Sequence, residues 1–216
     1  MQKDIAIYGA GGLGREVACM LEVINHQGGN PWNFIGFFDD GVAPATQAGT
    51  HGKVLGDIHT LNDWPTPLCV ALCFGNPRTI AAVRAKITNP GVSFPNLIYP
   101  DFRIAEAATF TIGEGNIITS GCLATCNVAV GDFNLLNGDV VLAHDVRLGN
   151  YNCIMPGVRV SGEVTIGERN LIGSCSFILQ QTRIGNEVTL SPGSILLTNP
   201  KDGNTYIGNP AKKFKY

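Results

Sequence analysis

The sequence is poor in charge and lacks the long apolar runs of a membrane protein. Only 15% of its 216 residues are charged, and the formal net charge is −2. So small a charge argues against nucleic acid or an anionic membrane as the main partner. No apolar run approaches the roughly 18 residues that a membrane span requires, and the first residues lack an export signal. We therefore expect a cytoplasmic protein that does not insert into membranes.

Disulfide and metal-binding patterns are also missing. The seven cysteines are an odd number without C-x-x-C spacing, which is typical of reduced cysteines that mostly serve packing in a cytosolic protein. The four histidines have no metal-ligand spacing; they are His26, His51, His59 and His144. We expect no metal cofactor.

The second half carries a repeat with a period of six residues. Every sixth residue from Ile112 to Leu196 is aliphatic or alanine, a period that neither a helix nor a simple strand predicts. Glycine and asparagine recur on top of it at intervals of 18 residues, at Gly113, Gly131, Gly149, Gly167 and Gly185 and at Asn116, Asn134, Asn152 and Asn170. One structural coil therefore contains three six-residue repeats.

These periods predict a triangular parallel β-solenoid of five coils over residues 112–201, with a less regular coil beginning near Ile104. The aliphatic side chains would fill the prism, and successive coils would pair as parallel strands about 4.8 Å apart. We expect the recurring glycines and asparagines to adopt positive φ at the corners. We also expect the asparagine side chains to hydrogen-bond along the axis.

The first hundred residues predict a separate α/β domain. Apolar strands at 4–8, 34–38 and 68–74, and a weaker one at 94–98, alternate with helices at 15–25 and from Pro77 to about Ile87. Such alternation is typical of a small parallel sheet. Pro95 and Pro100 bracket the join to the solenoid. We therefore assign residues 1–100 and 101–216 to two domains.

The first strand runs into a glycine-rich loop. Gly9-x-Gly11-x-x-Gly14 follows a strand and opens a helix, where backbone N–H groups can approach a phosphate. Asp39 and Asp40 end the second strand, where a carboxylate can bind a ribose hydroxyl, although they follow Gly14 by 25 and 26 residues rather than about 20. A full dinucleotide fold needs a longer domain. We therefore favour a nucleoside diphosphate over NAD; a glycine turn without a ligand is the alternative.

The repeat, together with the segment Gly208-Asn209-Pro210-Ala211-Lys212, resembles the hexapeptide-repeat acyltransferases. The glycine loop, the aspartate pair and the Gly75-Asn76 turn narrow the resemblance to the NeuD/PglD branch of bacterial sugar acetyltransferases. The resemblance implies a Rossmann-like half-domain followed by a left-handed parallel β-helix. It also implies a homotrimer with acetyl-CoA bound between neighbouring prisms, and an acceptor that is a UDP-linked amino sugar or sialic acid.

The same resemblance assigns site residues by position. Those matched to the uridine diphosphate sugar are Gly11, Gly12, Leu13, Asp39, Asp40, Gly75 and Asn76. Leu13 stands where members of the branch often have histidine. Those matched to the coenzyme are Cys153, in place of a family histidine, with Ser174 and Pro192 along the pantetheine arm and Lys212, Lys213 and Lys215 near the phosphates. Gly162 would donate its backbone N–H to the thioester oxygen.

His144 is the one histidine in the repeat, and it lies off the inward phase, so its ring should point out of the prism. Acetyl transfer needs a base to remove a proton from the acceptor, and histidine suits neutral pH. The family's His-acid pair implies His144 as general base and Asp145 as its partner. Members that act on UDP-amino sugars have glutamate at this position, so we expect the shorter Asp145 to contact the ring weakly or through a water.

These observations predict acetyl-CoA-dependent N-acetylation of a nucleotide-linked sugar, most simply a UDP-4-amino sugar. Three alternatives remain open at this stage: a sugar O-acetyltransferase of the sialic-acid type, a hexapeptide scaffold without catalysis, and a nicotinamide-binding module.

Overall fold

The computed structural model describes residues 2–214 of the chain. It divides into two compact units. One runs to Gly75 and continues over Thr79–Pro100; the other holds Asn76–Arg78 and continues from Asp101.

The first unit is built on a parallel sheet. Its elements are β1 (Lys3–Tyr8), α1 (Gly12–Gln27), β2 (Trp32–Phe38), β3 (Val54–Gly56), α2 (Ile58–Asn62), β4 (Leu68–Leu72), α3 (Pro77–Lys86), which belongs to this unit from Thr79 onward, and β5 (Val92–Ser93). The strand order is β3-β2-β1-β4-β5, and all four pairs are parallel. The carboxyl ends of β1, β2 and β4 therefore meet at one edge, which is where open α/β sheets bind their ligands.

The sequence predicted the three central strands and the two longer helices of this unit, but it missed β3 and α2. The strand predicted near 94–98 is present only in part, and it does not belong to this sheet. The sheet instead ends with β5 at Val92–Ser93, and Leu97–Ile98 form a separate short strand, β6. Pro95 stands between them, and a proline cannot donate a hydrogen bond within a sheet.

The second unit is a stack of short strands on three faces, with a 3-10 turn at Ala107–Thr109 between its first two strands. The strands are β7 (Arg103–Ile104), β8 (Thr111–Ile112), β9 (Ile117–Ile118), β10 (Leu123–Ala124), β11 (Ala129–Val130), β12 (Leu135–Leu136), β13 (Val141–Leu142), β14 (Arg147–Leu148), β15 (Cys153–Ile154), β16 (Arg159–Val160), β17 (Thr165–Ile166), β18 (Leu171–Ile172), β19 (Phe177–Ile178), β20 (Arg183–Ile184), β21 (Thr189–Leu190), β22 (Ile195–Leu196), β23 (Thr205–Ile207) and β24 (Lys212–Lys213).

From β7 to β19, each strand of the prism pairs in parallel with the strand one coil later. Leu123 of β10 lies opposite Val141 of β13, which lies opposite Arg159 of β16. The predicted solenoid and its 18-residue coil are therefore confirmed. The strands from β7 to β21 make five coils, β22 opens a sixth and β23 closes it, and β24 returns antiparallel to β23.

The predicted asparagine ladder is present inside the prism. The backbone N–H and the side-chain Nδ2 of Asn134 both donate to Oδ1 of Asn116, at 2.9 and 3.0 Å. Asn152 repeats this arrangement on Asn134, and Asn170 repeats it on Asn152. All four side chains are buried. Each buried amide is thus satisfied by the next coil, which fixes the register of stacking.

The expected positive φ at the glycine and asparagine columns is wrong. Positive φ falls instead three residues after the inward aliphatic, as at Asn127, Asp145 and Glu163. The recurring glycines answer a steric need, because a Cβ on Gly149 would lie 2.5 Å from the carbonyl oxygen of Gly167 in the next coil.

We predict that Asn152→Ala lowers the free energy of unfolding by about 1–3 kcal/mol, because it leaves buried N–H groups of Asn170 without an acceptor. Urea unfolding measures the loss. Asn186→Ala is the matched control, since exposed Asn186 accepts one bond from the N–H of Glu168. Equal losses in the two variants would contradict a special role for the buried ladder.

Candidate functional site

His144 lies at a corner of the prism just after β13. The inward residue of this repeat is Leu142, which is 1% exposed, whereas the His144 side chain is 51% exposed. The ring therefore points outward, as the phase of the repeat predicts.

The imidazole is held by the residue that follows it. Nδ1 of His144 lies 2.9 Å from Oδ2 of Asp145, so the expectation of a weak or water-bridged contact is wrong. This hydrogen bond, and a second one from Asn127, hold the pKa of Asp145 below its usual range. An ionised carboxylate at Nδ1 keeps the proton on that nitrogen and leaves the Nε2 lone pair open. Over residues 2–214, no other group bonds to Nε2.

Gly162 lies one coil after His144 and packs against its ring. A Cβ on Gly162 would overlap Nε2 and Cε1 of the imidazole. The backbone N–H of Gly162 donates to no other residue in the described part of the chain. The structure therefore brings together an open imidazole nitrogen and an uncommitted N–H group, at two residues that the sequence analysis selected.

A second acid near the ring is already occupied. Gln181 and Gln180 each donate an amide hydrogen bond to one oxygen of Glu163, at 3.1 and 3.0 Å. These bonds, with that from Gln181 the stronger influence, hold the pKa of Glu163 below its usual range, and the nearby His144 lowers it further. Glu163 thus contributes negative charge, while Asp145 is the acid that contacts the imidazole.

Sequence reasoning missed Glu163 and two further residues, Asn127 and Arg147. Asn127 donates to Asp145 and accepts from Arg147. The signal that would have found Asn127 is the period itself, because Asn127 precedes Asp145 by 18 residues.

The residues matched to the coenzyme differ in their exposure to solvent. Ser174 is partly exposed, and Pro192, Lys212 and Lys213 are exposed, while Lys215 lies outside the described residues. Cys153 is fully buried, and burial raises the pKa of its thiol to about 12. A buried thiol does not reach a bound coenzyme, so we do not keep Cys153 in the proposed site.

In the first unit, Asp39 and Asp40 form hydrogen bonds that connect the loops after β1 and β2 at the carboxyl edge of the sheet. Asp39 accepts from the N–H groups of Ala10 and Gly41, each at 2.8 Å. Oδ1 of Asp40 accepts from the Tyr8 hydroxyl at 2.5 Å and from the N–H of Ile58 at 3.0 Å. Burial, reinforced by Asp40, raises the pKa of Tyr8 well above its usual range. Oδ2 of Asp40 bonds to no described residue.

The glycines of the loop have separate roles. Gly9 and Gly14 are packed closely, since a Cβ on Gly9 would lie 2.7 Å from the carbonyl oxygen of Cys73 and one on Gly14 would overlap that of Gly9. A Cβ on Gly11, Gly12 or Gly75 would meet no atom within 4 Å. Gly11 and Gly12 thus border open space at the N-terminus of α1.

Leu13 and Asn76 are two further residues predicted to bind the sugar nucleotide. Leu13 is partly exposed in the first turn of α1, and Asn76 is exposed at the start of α3. Oδ1 of Asn76 accepts from the N–H of Arg78 at 2.9 Å, so its side chain caps that helix.

Comparisons with known proteins agree with both units. The PglD N-terminal domain family matches residues 4–88. The acetyltransferase domain of PglB from Neisseria gonorrhoeae FA1090 superposes with a TM-score of 0.87 and 27% identity, over 99% of this chain and 100% of that one. The first unit thus matches the PglD N-terminal domain family, and the whole chain is similar to the acetyltransferase domain of PglB.

Two further solved members of this fold are similar over almost their whole length. WeeI from Acinetobacter baumannii AYE has a TM-score of 0.85 and 24% identity, over 99% of this chain and 100% of that one. PerB from Caulobacter crescentus, solved with CoA and GDP-perosamine, has a TM-score of 0.84 and 23% identity, over 98% and 97%. No curated protein matches the sequence.

The domain match and the likeness to the PglB acetyltransferase domain confirm the predicted fold class, a Rossmann-like half-domain followed by a left-handed parallel β-helix, and the prediction of an acetyltransferase. Within residues 2–214, no helix is long and apolar enough to cross a membrane. In the same part of the chain, His, Cys, Asp and Glu side chains nowhere gather as a set that could hold a metal ion.

We predict that Gly162→Ala displaces the ring of His144, because the added methyl group would overlap the imidazole. A crystal structure of the variant measures the displacement as a lengthened contact between Nδ1 and the Asp145 carboxylate. A ring that keeps its position in the variant would contradict close packing on Gly162.

Proposed function

We propose that this protein transfers the acetyl group of acetyl-CoA to the amino group of a nucleotide-linked amino sugar, with His144 as the general base. The observation that carries this proposal is the imidazole, whose Nδ1 is held by Asp145 and whose Nε2 is open beside Gly162. The PglB domain, 27% identical to this chain, has been solved in complex with acetyl coenzyme A, which supports the donor.

In this reaction His144 first accepts a proton from the acceptor and then donates a proton to the leaving group. Nε2 of His144 takes a proton from the acceptor nitrogen as that nitrogen bonds to the thioester carbonyl carbon. The carbon–sulfur bond then breaks, and the leaving thiolate takes the proton back from the imidazolium. Asp145 stays ionised and stabilises the imidazolium between these events.

Gly162 supplies the second element of this proposal. The carbonyl oxygen gains negative charge when the acceptor attacks, and a backbone N–H directed at it lowers the barrier. The uncommitted N–H of Gly162 suits this role because it lies beside the ring that must approach the same carbonyl. Ser174 and Pro192 would border the pantetheine arm, and Lys212 and Lys213 would meet the coenzyme's phosphates.

The nucleotide would bind at the carboxyl edge of the first unit's sheet. Gly11 and Gly12 leave open space at the N-terminus of α1, where backbone N–H groups favour a diphosphate. Oδ2 of Asp40 is free to accept a ribose hydroxyl, while Asp39 holds the loop in place. We propose UDP as the nucleotide and a 4-amino group as the acceptor, with Gly75 and Asn76 bordering the sugar.

The proposed assembly is a homotrimer with its active sites between subunits. Its support is an apolar patch on the last coils of the prism, formed by Phe177, Leu179 and Leu197, whose exposures are 39%, 41% and 43%. Ile178 lies opposite Leu196 in the sheet, so Leu179 and Leu197, which follow them, are neighbours in successive coils. Contiguous exposed apolar surface is typical of a protein–protein contact.

We predict that His144→Ala lowers kcat for acetyl transfer roughly 10²–10⁴-fold, because the base is lost. The assay follows release of the coenzyme thiol with a UDP-linked amino sugar as acceptor. His59→Ala is the control, since His59 is exposed on α2; it should retain full activity. Near-normal turnover by His144→Ala would remove His144 from the mechanism.

Parallel acceptors separate the alternatives in the same assay. Acetylation of a UDP-linked amino sugar supports the proposal in full, and a preference for the GDP-linked analogue overturns the choice of nucleotide alone. Transfer only to a sialic-acid hydroxyl supports the O-acetyltransferase. If no acceptor reacts and NAD alone raises the melting temperature, a nicotinamide-binding module replaces the proposal; a ligand at a hundredfold excess over its Kd adds about 2.7 kcal/mol.

We predict that the purified protein has the mass of three chains by light scattering, and that Leu179→Glu with Leu197→Glu shifts the mass towards one chain. The charges would be buried in the contact without partners. A variant with the wild-type trimer mass would place the contact elsewhere, and a monomeric wild type would refute the assembly.

A further inference from the structure

A chain of hydrogen bonds reaches the His144–Asp145 pair from the neighbouring coil. Asn127 lies one coil before Asp145 in the same column of corners, and its Nδ2 donates to Oδ1 of Asp145 at 2.6 Å. The other oxygen of Asp145, Oδ2, contacts the imidazole. Each carboxylate oxygen therefore has its own partner, and the carboxylate cannot rotate without losing both.

Arg147 determines which way the Asn127 amide faces. Its Nη2 donates to Oδ1 of Asn127 at 3.0 Å, and its Nη1 donates to the backbone carbonyl of Asn127 at 2.6 Å. A guanidinium has donors only, so it selects the carbonyl side of the amide. The amide NH2 group is then left to face Asp145.

The backbone under this network is fixed as well. Asn127 and Asp145 occupy equivalent corners with φ of 53° and 62°. The N–H of Asn127 donates to Oγ1 of Thr109 at 2.8 Å, and that of Asp145 donates to the carbonyl of Cys126 at 3.0 Å. The side chains of the network thus start from constrained backbone positions.

The other acid at this corner does not compete. Glu163, one coil after Asp145, has both oxygens bonded by Gln180 and Gln181. The Asn127 bond also contributes, after that of His144, to keeping the pKa of Asp145 low. Asp145 is therefore the carboxylate that the surrounding side chains direct at Nδ1.

We propose that Asn127 and Arg147 are positioning residues for the base: they hold the Asp145 carboxylate in the orientation that grips Nδ1 of His144. This inference rests on the proposed function, in which His144 removes the acceptor proton. Neither residue need touch a substrate, so their loss should affect the chemical step rather than binding.

The test measures kcat and KM for Asn127→Asp and Arg147→Met. Asn127→Asp keeps the size of the side chain and its contact with Arg147, but it cannot donate to Asp145. We expect kcat to fall about tenfold in each variant, as for one charge-assisted bond, with KM for both substrates unchanged. Arg159→Met is the matched control, because Nη1 of Arg159 donates to the backbone carbonyl of Asp139 in the same way, but Arg159 has no bond to Asn127 or Asp145 in the described residues.

A double-mutant cycle distinguishes positioning from a general structural effect. On an Asp145→Ala background, Asn127→Asp should cause no further loss of kcat, because the group that it orients is gone. An equal loss on both backgrounds, or a rise in KM with kcat unchanged, would overturn the inference.

A crystal structure of Asn127→Asp keeps this inference separate from the proposed function. If no acceptor is acetylated by the wild type, the proposed function fails by itself. The variant then still reports on positioning: a carboxylate of residue 145 turned away from the ring supports the inference, and an unchanged 2.9 Å contact overturns it.

Discussion

The 18-residue register of the solenoid is the constraint on which the candidate site depends. Both carboxylates beside the His144 ring are held by a residue one coil away, since Asn127 holds Asp145 and Gln181 holds Glu163. The buried asparagine ladder fixes that register, because sliding the coils by one residue would leave its amides unbonded. Stability of the prism and geometry of the site therefore have the same physical origin.

The register also explains why the imidazole of His144 is held in an orientation that suits a general base. A surface imidazole is ordinarily free to rotate. Here Asp145 follows at positive φ and bonds Nδ1, while Gly162 in the next coil leaves room for the ring and no more. The result is a ring whose Nδ1 is bonded and whose Nε2 has no partner among the described residues, which is the state that a general base requires.

Much of the fold could be predicted from the sequence because buried side chains recur at a fixed period. Inward residues such as Leu142 and Ile154, and the asparagine ladder, followed directly from a period that only stacking coils produce. The corner conformation was not readable, since positive φ occurs at Arg169 and Cys175 as well as at asparagine, and residue type gives no signal there. Strand β3 and helix α2 were missed because they are short and lack a clear apolar period.

The residues of the candidate site also fall into two groups, those that the sequence predicted and those that only the structure showed. His144 and Asp145 were found from chemistry and from resemblance, whereas Asn127 and Arg147 depend on contacts between coils that sequence adjacency hides. Cys153 was misassigned because position in a family was carried over to a residue that is buried in this chain. The aspartate pair was found, but its part in joining the loops after β1 and β2 emerged only from the hydrogen bonds.

The most direct measurement is a crystal structure of the protein with coenzyme A and a nucleotide-linked amino sugar. The account predicts that the acceptor nitrogen lies about 2.6–3.2 Å from Nε2 of His144, the distance that proton transfer to a base requires. An acceptor nitrogen that lies beyond reach of this imidazole, with another side chain at its proton, would contradict the account.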